Sequence, residues 1–407
     1  MPSDLNKKIR ERLALSRRIE SSGIETMPCS LCERTGKTCL VPLRAHRPAA
    51  RSALVLGRKP DPFRVPLRAN GRYIVDASDK RVKLASVNWH GASDLLFVPG
   101  GLDVQHRSKI ASVIRHLGFN STTPMIPAKF LLANKALFGL RALDIYVAVV
   151  NSLTEAGIAV IINNHITQAT WCCCANLCDT AWYNNYLGAF CRVRQTEDHW
   201  VDHWESLMAS FVDNPLVIGA DLRNKPRGLW GTMPWAKWVT AAERAGNILL
   251  ALRDDWLIFI EGVSSSNDLS GVRDRPMFLD FDGRVVYSAH VYSWSGWGSL
   301  DGMYAKRPFD SFAKSMMDNW AYLLEENIAP VWVGEFGGPH LPNTGDLHYW
   351  NNLLKFLKMV DADFGYWALN PRKPANNESE SYGLVEDDWQ TPILDYRLRD
   401  MIELGRQ

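Results

Sequence analysis

From residue 63 onward, short runs of β-branched and apolar residues alternate with longer stretches that have helical periodicity. This alternation is typical of βαβ units, in which parallel strands are covered by helices. Eight strands in continuous alternation, with no break for a second domain, favour one closed (β/α)8 TIM barrel over an open doubly wound sheet. The predicted strands are LASVNW (84–89), GFNSTT (118–123), IAVIINNH (158–165), VIGADLRN (217–224), LIFIEGV (257–263), VVYSAHVY (285–292), PVWVGEF (330–336) and FGYWAL (364–369).

The predicted barrel covers residues 63–407, and the preceding residues 1–62 differ from it in composition. Residues 1–64 contain 14 Lys and Arg against 6 Asp and Glu, whereas the remainder contains 32 against 38, a net charge of −6. The stretch 41–62 is rich in Pro and Arg, as flexible linkers are. We expect the whole basic segment 1–62 to be disordered.

The N-terminal sequence carries no recognisable export signal. It lacks the apolar run of ~7–15 residues that a secretory signal needs. No stretch approaches the ~20 apolar residues that cross a bilayer, so we expect no membrane partner. The cellular location stays open at this point.

Three cysteines of the leader form the pattern Cys29-x2-Cys32-x6-Cys39. It resembles the first half of the binuclear zinc cluster of fungal transcription regulators. Tetrahedral zinc takes four ligands and no second half follows, so we interpret the pattern as a remnant or a mis-joined exon. The basic leader offers only salt-sensitive, non-specific attraction to phosphate, and we do not expect a nucleic-acid partner.

Five further cysteines, Cys172, Cys173, Cys174, Cys178 and Cys191, cluster after the third predicted strand. In an oxidising compartment they would form two disulfides and leave one thiol, with a pairing that the sequence does not determine. Disulfides are typical of secreted proteins, whereas inside the cell these thiols would stay reduced. The spacing matches no standard zinc motif, so we expect no metal here.

Polar or aromatic residues end six of the eight predicted strands. In a (β/α)8 barrel the active site lies at the carboxyl ends of the strands, and packing alone does not explain so many polar groups there. We therefore predict a functional site at this end. No G-x-G-x-x-G or Walker motif follows any strand, which excludes the usual nucleotide sites. The residues are Asn88, Trp89, His90, Asn164, His165, Asn224, Lys225, His290, Tyr292, Glu335 and Trp367.

Five motifs occur in a characteristic order: VKLASVNWHG, VIINNHITQATWCC, VIGADLRN-x-P-RG, VVYSAHVY and PVWVGEFG. Together they resemble glycoside hydrolase family 5, the cellulase family, over roughly residues 65–400. The Trp-Cys-Cys loop after the third strand is most similar to the cellulase-like branch of fungi and plants. The resemblance implies a retaining endo-β-glycosidase that acts on β-glucan, cellulose or mannan.

The resemblance also implies a role for each matching residue. Glu335 in VGEFG corresponds to the nucleophile, and His290 and Tyr292 correspond to the pair that orients it. His165 corresponds to the third-strand histidine, and Asn224 to the asparagine that contacts the sugar 2-hydroxyl. The expected sugar-binding tryptophans are Trp89, Trp171, Trp294, Trp297 and Trp367, the last of which corresponds to the stacking floor of the family.

Two positions depart from the family pattern. Its Asn-Glu-Pro reads Asn224-Lys225-Pro226, so a lysine stands at the position of the general acid/base. Lysine has an ordinary pKa of about 10.4, far above the value that suits a general acid near neutral pH. An ammonium beside Glu335 would also occupy the charge of the nucleophile. Thr123 stands where the family has its second-strand arginine.

We therefore expect a hydrolase whose catalysis is impaired, with a catalytically inactive carbohydrate-binding protein as the alternative. A single-codon change from Glu would also explain Lys225. Asp221 should lie too deep to supply the missing acid, and Glu261 is expected to be structural. In each case the expected partner is a β-linked oligo- or polysaccharide, bound by a monomer that needs no metal or cofactor.

Overall fold

The computed structural model describes residues 63–94, 97–127, 133–134, 140–169, 172, 176–229, 232–296, 300–373 and 378–406. The leader with Cys29, Cys32 and Cys39 lies outside the described residues, as do Trp171, Cys173, Cys174 and Trp297. The division of the chain at residues 62 and 63 therefore stays a prediction.

Eight parallel strands form a closed barrel, which confirms the predicted (β/α)8 fold class. Each strand pairs with the next one along the chain, and the eighth pairs with the first, Phe364 lying opposite Ala85. All eight predicted runs coincide with a barrel strand. In chain order the strands are Ala85–Trp89, Ser121–Pro127, Ala159–Ile166, Val217–Asp221, Leu257–Glu261, Val285–His290, Val331–Phe336 and Asp363–Tyr366.

Helices lie between successive strands and pack their apolar faces on the barrel. The helix Thr344–Val360 begins with a capping box, in which Asn343 and Asp346 each accept a backbone N–H of the other. Its buried face includes Trp350 and Leu353. The longer described helices and helical segments are Arg107–His116, Ala142–Glu155, Glu197–Met208, Trp235–Leu252, Phe309–Met316, Tyr322–Glu325, Thr344–Val360 and Tyr396–Leu404, with a π-helical segment at Met317–Ala321. Between the fifth and sixth strands lie the short segments Val263–Ser266 and Ser270–Arg273.

A short antiparallel hairpin, Arg68–Asn70 with Tyr73–Val75, precedes the first barrel strand. Ile74 is buried in one cluster with Ala159 and Leu257, which stand at the starts of the third and fifth strands. The hairpin segment therefore packs at the amino ends of the strands, and the opposite end of the barrel carries the cleft described below. A second hairpin joins Ala133–Asn134 and Leu140–Arg141.

Disulfides and a buried ion pair hold the loop that follows the third strand. Cys178 is bonded to Cys191, and Cys172 is also disulfide-bonded. Arg223, just after the fourth strand, donates to Asp179 Oδ1 in this loop at 2.7 Å and to the carbonyl oxygen of His165 at 2.6 Å. The side chains of Arg223 and Asp179 are 1% and 2% exposed, so each needs the charge of the other.

Replacing one partner of this pair should destabilise the barrel strongly. In Asp179→Asn the guanidinium of Arg223 stays buried without a counter-charge, which we expect to lower the free energy of unfolding by about 3 kcal/mol. Denaturant unfolding at neutral pH measures the change. The matched control is Asp198→Asn, because Asp198 pairs with Arg244 at the surface and its loss should cost under ~1 kcal/mol. Equal effects of the two substitutions would contradict a special role for the buried pair.

Candidate active site

A cleft of about 860 Å³ opens at the carboxyl ends of the barrel strands. Loops after several different strands contribute to its wall, as is usual for the active sites of such barrels. Most of the predicted site residues meet here. Among the lining residues are His90, Asp94, His165, Cys172, Lys225, Arg227, Ser264, Ser265, Tyr292, Trp294, Glu335, Trp367, Lys373, Glu380 and Tyr382.

An ion pair between Lys225 and Glu335 occupies the centre of this cleft. Lys225 Nζ lies 2.5 Å from Glu335 Oε2, and the two side chains are 16% and 3% exposed. Tyr292 donates its hydroxyl to the same oxygen at 3.0 Å. The ammonium also lies 5.6 Å from the centroid of the Tyr292 ring and 5.9 Å from that of Trp367. A charge-assisted bond of this kind fixes both partners, so the carboxylate of Glu335 is strongly held.

The two histidines predicted for the site are buried and neutral. Burial lowers the pKa of His290 well below its ordinary value, and the charge of Lys225 lowers it further. Burial likewise lowers the pKa of His165. His165 Nδ1 lies 3.2 Å from Asn163 Oδ1, and its Nε2 lies 3.3 Å from Asn224 Nδ2. This pattern assigns the proton of His165 to Nδ1, since the amide oxygen accepts and the amide nitrogen donates.

Two further carboxyl groups, those of Asp94 and Glu380, line the cleft. Burial raises the pKa of Asp94 to about 7. Burial also raises the pKa of Glu380. Sequence motifs missed both residues, because they lie several positions beyond the strand ends where polar residues were sought.

Aromatic rings line the cleft at two places. Trp367 stacks with His90 at a centroid distance of 5.1 Å and with His165 at 5.6 Å. Trp294 is 51% exposed and stacks on Tyr292 at 4.4 Å with an interplanar angle of 9°. An exposed flat ring is the surface on which a sugar face can pack, and both tryptophans border the cleft.

The prediction that Trp89 binds sugar needs correction. Trp89 is completely buried, its Nε1 donates to the carbonyl oxygen of Gly100 at 3.0 Å, and its ring packs against Trp389. Successive residues of a strand point to opposite faces, and Asn88 is the one that faces the barrel mouth, donating to the carbonyl oxygen of Gly334. Trp89 is therefore a core residue that offers no surface to a ligand.

Thr123, at the position of the expected arginine, is buried on the second strand opposite Asn88. Its hydroxyl oxygen has no hydrogen-bond partner among the residues that the structure describes. A threonine is too short to reach across the cleft to Glu335 as an arginine could. Thr123 is therefore a buried side chain that does not line the cleft.

Glu261, on the fifth strand, holds two unusual backbone segments. Its Oε2 accepts the backbone N–H of Lys225 at 2.8 Å and the hydroxyl of Ser266. Lys225 has φ 50°, and Ser264, Ser265 and Ser266 have φ 54°, 60° and 68°. Left-handed backbone costs roughly 1–2 kcal/mol for each such residue, so these segments need fixed partners. The sequence predicts a structural role for Glu261 but carries no signal for this contact.

The donor set of the cleft has no metal-binding arrangement. No group of three or more His, Cys, Asp or Glu side chains suited to a metal ion occurs in the described part of the chain. Among the same residues, no helix is long and apolar enough to cross a membrane. The described lining of the cleft carries carboxyl, ammonium, guanidinium, imidazole, hydroxyl and aromatic groups.

The closed barrel and its polar, aromatic-lined cleft define the scaffold of a barrel enzyme. Residues 75–373 match the family model Cellulase (glycosyl hydrolase family 5). An endoglucanase of Paenibacillus polymyxa is 30% identical over 351 residues, covering 79% of this chain and 82% of that protein. The chain belongs to glycosyl hydrolase family 5.

Further relatives and solved structures have the same fold. A glycosyl hydrolase 5 family protein of Chamaecyparis obtusa is 28% identical over 383 residues, covering 83% of this chain and 66% of that protein. The catalytic domain of the major endoglucanase from Xanthomonas campestris superposes with a TM-score of 0.70 at 23% identity, over 84% of this chain and 100% of that domain. A complex of an endocellulase from Pyrococcus horikoshii with cellotetraose gives a TM-score of 0.69 at 24% identity, over 84% and 99% of the two chains.

Removing the charge of Lys225 should raise the pKa of His290. In Lys225→Gln the imidazole stays buried but no longer faces an ammonium, so its pKa moves upward while remaining below the ordinary value. NMR titration of the imidazole resonances measures the shift. Lys237→Gln is the matched control, because Lys237 is exposed and contacts Tyr183 outside the cleft. An unchanged titration of His290 in Lys225→Gln would show that the ammonium does not act on it.

Proposed function

We propose that this protein binds β-linked glucan in the cleft as a family 5 glycosidase whose retaining hydrolysis is impaired by Lys225. The observation that carries the proposal is the 2.5 Å contact between Lys225 Nζ and Glu335 Oε2. In this mechanism Glu335 is the nucleophile, oriented by Tyr292 and His290. In this proposal a cation stands where a proton donor is required, and it engages the oxygen that would attack.

Retaining hydrolysis uses two carboxyl groups, ~5–5.5 Å apart, on either side of the scissile bond. One protonates the leaving oxygen while the other attacks the anomeric carbon. By the family resemblance, Lys225 stands at the position of the carboxyl group that protonates the leaving oxygen, but it carries an ammonium group instead. A lysine ammonium, with an ordinary pKa of about 10.4, is a weak acid for this step, and loss of general acid catalysis lowers rates by about 10²–10⁴.

Two buried carboxyl groups, those of Asp221 and Glu261, do not replace the missing acid in this mechanism. Asp221 lies beneath the cleft, where it accepts from Asn163 Nδ2 at 2.9 Å. Glu261 is fully buried and bound to the backbone of Lys225. We infer that both support the site without contacting the glycosidic oxygen.

Several findings support a β-glucan as the ligand. The relatives from Paenibacillus polymyxa and Xanthomonas campestris are endoglucanases. Trp294 and Trp367 provide aromatic surface along the cleft. Mannan remains the second candidate glycan. The Trp171-Cys172-Cys173 sequence supports placement in the fungal and plant branch of the family. The Cys178–Cys191 disulfide supports folding in an oxidising compartment.

The alternative function is a carbohydrate-binding protein without catalysis. The observation that favours it is the second departure, the buried Thr123 at the position of the family arginine. Two losses at one site are more consistent with relaxed selection for catalysis than with one chance substitution. Binding would then persist through the aromatic surface while bond cleavage is absent.

Restoring a carboxyl group at position 225 separates these two functions. We expect Lys225→Glu to raise hydrolysis of a natural β-glucan by about 10²–10⁴-fold, because it supplies a general acid and releases Glu335. An aryl β-glycoside with a good leaving group needs less protonation and should show a smaller gain. Initial rates on both substrates are the measurement.

The control for this experiment is the double variant Lys225→Glu with Glu335→Gln, which should lose the recovered activity. A wild-type chain that cleaves the polysaccharide as fast as Lys225→Glu would refute the proposed impairment. If Lys225→Glu recovers nothing while oligosaccharides still bind, the binding function is favoured and Thr123→Arg becomes the next variant.

Removing an exposed cleft ring should weaken glycan binding. We expect Trp294→Ala to lower the affinity for cellotetraose about tenfold, which corresponds to ~1.4 kcal/mol of stacking and burial. Isothermal titration calorimetry measures the affinity. Phe278→Ala is the control, because Phe278 is 63% exposed and does not line the cleft. Equal losses in both variants would argue against stacking on Trp294.

A further inference from the structure

We propose that Asp221 and Glu261 share one proton beneath the cleft, and that this pair is a positioning element that keeps the cleft in its glycan-binding form. Neither side chain lines the cleft, so neither is expected to touch the ligand. The inference rests on the proposed function in that it assumes a glycan binds in the cleft. It assigns a task to two carboxyl groups that the hydrolytic mechanism does not use.

The contact between the two carboxyl groups requires that one of them carries a proton. Asp221 and Glu261 are 1% and 0% exposed, and their carboxyl groups are in hydrogen-bonding contact. Asp221 Oδ2 accepts from Asn163 Nδ2. Asp221 Oδ1 and Glu261 Oε1 have no other hydrogen-bond partner within the described residues. Two carboxyl oxygens satisfy each other only when one of them carries a proton.

The other oxygen of Glu261 fixes the cleft wall. Glu261 Oε2 holds the backbone N–H of Lys225 and the hydroxyl of Ser266, and it lies 3.5 Å from His290 Nε2. Lys225 and the serines 264–266 are the left-handed segments described above, and Lys225, Ser264 and Ser265 line the cleft. One carboxylate oxygen therefore contacts the chain at the carboxyl ends of the fourth, fifth and sixth strands.

Burial and the neighbouring charges determine how readily the pair loses its proton. Burial raises the pKa of Glu261 well above its ordinary value, and the carboxyl groups of Asp221 and Glu335 raise it further. Burial raises the pKa of Asp221 to about 7. On the opposite side Lys225 contributes a positive charge, while His290 is neutral.

Loss of the shared proton would leave two buried carboxylates in contact, with the carboxylate of Glu335 close to them. Glu261 would then turn away from Asp221 and release the N–H of Lys225 and the hydroxyl of Ser266. Without that acceptor, the left-handed segments would relax and the cleft wall would change shape. The glycan-binding form is thus the protonated form, and binding should weaken as the pH rises.

Two isosteric variants test this inference. In Asp221→Asn the amide donates a permanent hydrogen bond to Glu261, and in Glu261→Gln the amide donates to Asp221 while its oxygen still accepts from Lys225. We expect the wild-type affinity for cellotetraose to fall about tenfold per pH unit above the pKa of the pair. Both variants should bind with an affinity that changes much less with pH. Titration calorimetry across a pH series is the measurement.

Identical pH profiles for the wild-type chain and both variants would overturn the inference. Asp94→Asn and Glu380→Gln test the two carboxyl groups of the cleft wall whose pKa values are also raised. If either of these abolishes the pH dependence while Asp221→Asn leaves it intact, the shared proton has no such role. Retention of the wild-type profile in both supports it.

NMR of His290 separates this inference from the proposed function. His290 Nε2 lies 3.5 Å from Glu261 Oε2, so its resonances should shift when the pair loses its proton, whether or not a glycan binds. We expect that inflection in the wild-type chain and its absence in Asp221→Asn. Absence of cellotetraose binding at every pH would refute the proposed function alone, whereas an unchanged inflection in Asp221→Asn would refute the shared proton.

Discussion

Closure of the barrel is the constraint on which the whole site depends. The sixth strand pairs with the fifth and the eighth with the first, so the sheet has no free edge and all strands end on one ring. His290 and Glu335 are 45 positions apart in the chain, yet they lie opposite each other in the register of the sixth and seventh strands. A site assembled in this way is as rigid as the sheet that carries it.

At this end of the barrel Lys225 and Glu335 form an ion pair. Retaining hydrolysis instead uses two separated carboxyl groups. Opposite charges attract more strongly in a partly desolvated cleft than in water, so the pair stabilises this arrangement of the two side chains. Tyr292 contributes a third contact to the same oxygen. Under the proposed function, a sugar hydroxyl that approaches Glu335 competes with a cation, so the same contact would affect both ligand affinity and catalysis.

Much of the fold followed from the sequence because short apolar runs alternate repeatedly with stretches of helical periodicity. The strand boundaries were predicted less accurately than the strands themselves. The second strand extends to Pro127, since pairing with the third strand continues beyond the predicted end at Thr123. The fourth strand stops at Asp221, where the chain begins to turn toward the left-handed Lys225.

Family motifs mark most of the predicted residues that meet in the cleft. No motif describes the burial or the contacts of each residue. Trp89 follows the inward-facing Asn88, and only the direction of the pleat decides that its ring enters the core. The contact of Glu261 with the N–H of Lys225 joins residues 36 positions apart and depends on a backbone conformation that no residue pattern announces. Motifs identify functional groups, whereas burial and backbone direction decide what those groups do.

The buried ion pair of Arg223 and Asp179 restricts the changes that the loop after the third strand can tolerate. Arg223 precedes Asn224 in the chain and reaches into the loop that carries the disulfide of Cys178 and Cys191. That loop cannot be exchanged or shortened freely, because a replacement must still present an anion to a guanidinium 1% exposed to solvent. The loop after the third strand and the carboxyl end of the fourth strand are therefore coupled, and a change in one requires a compatible change in the other.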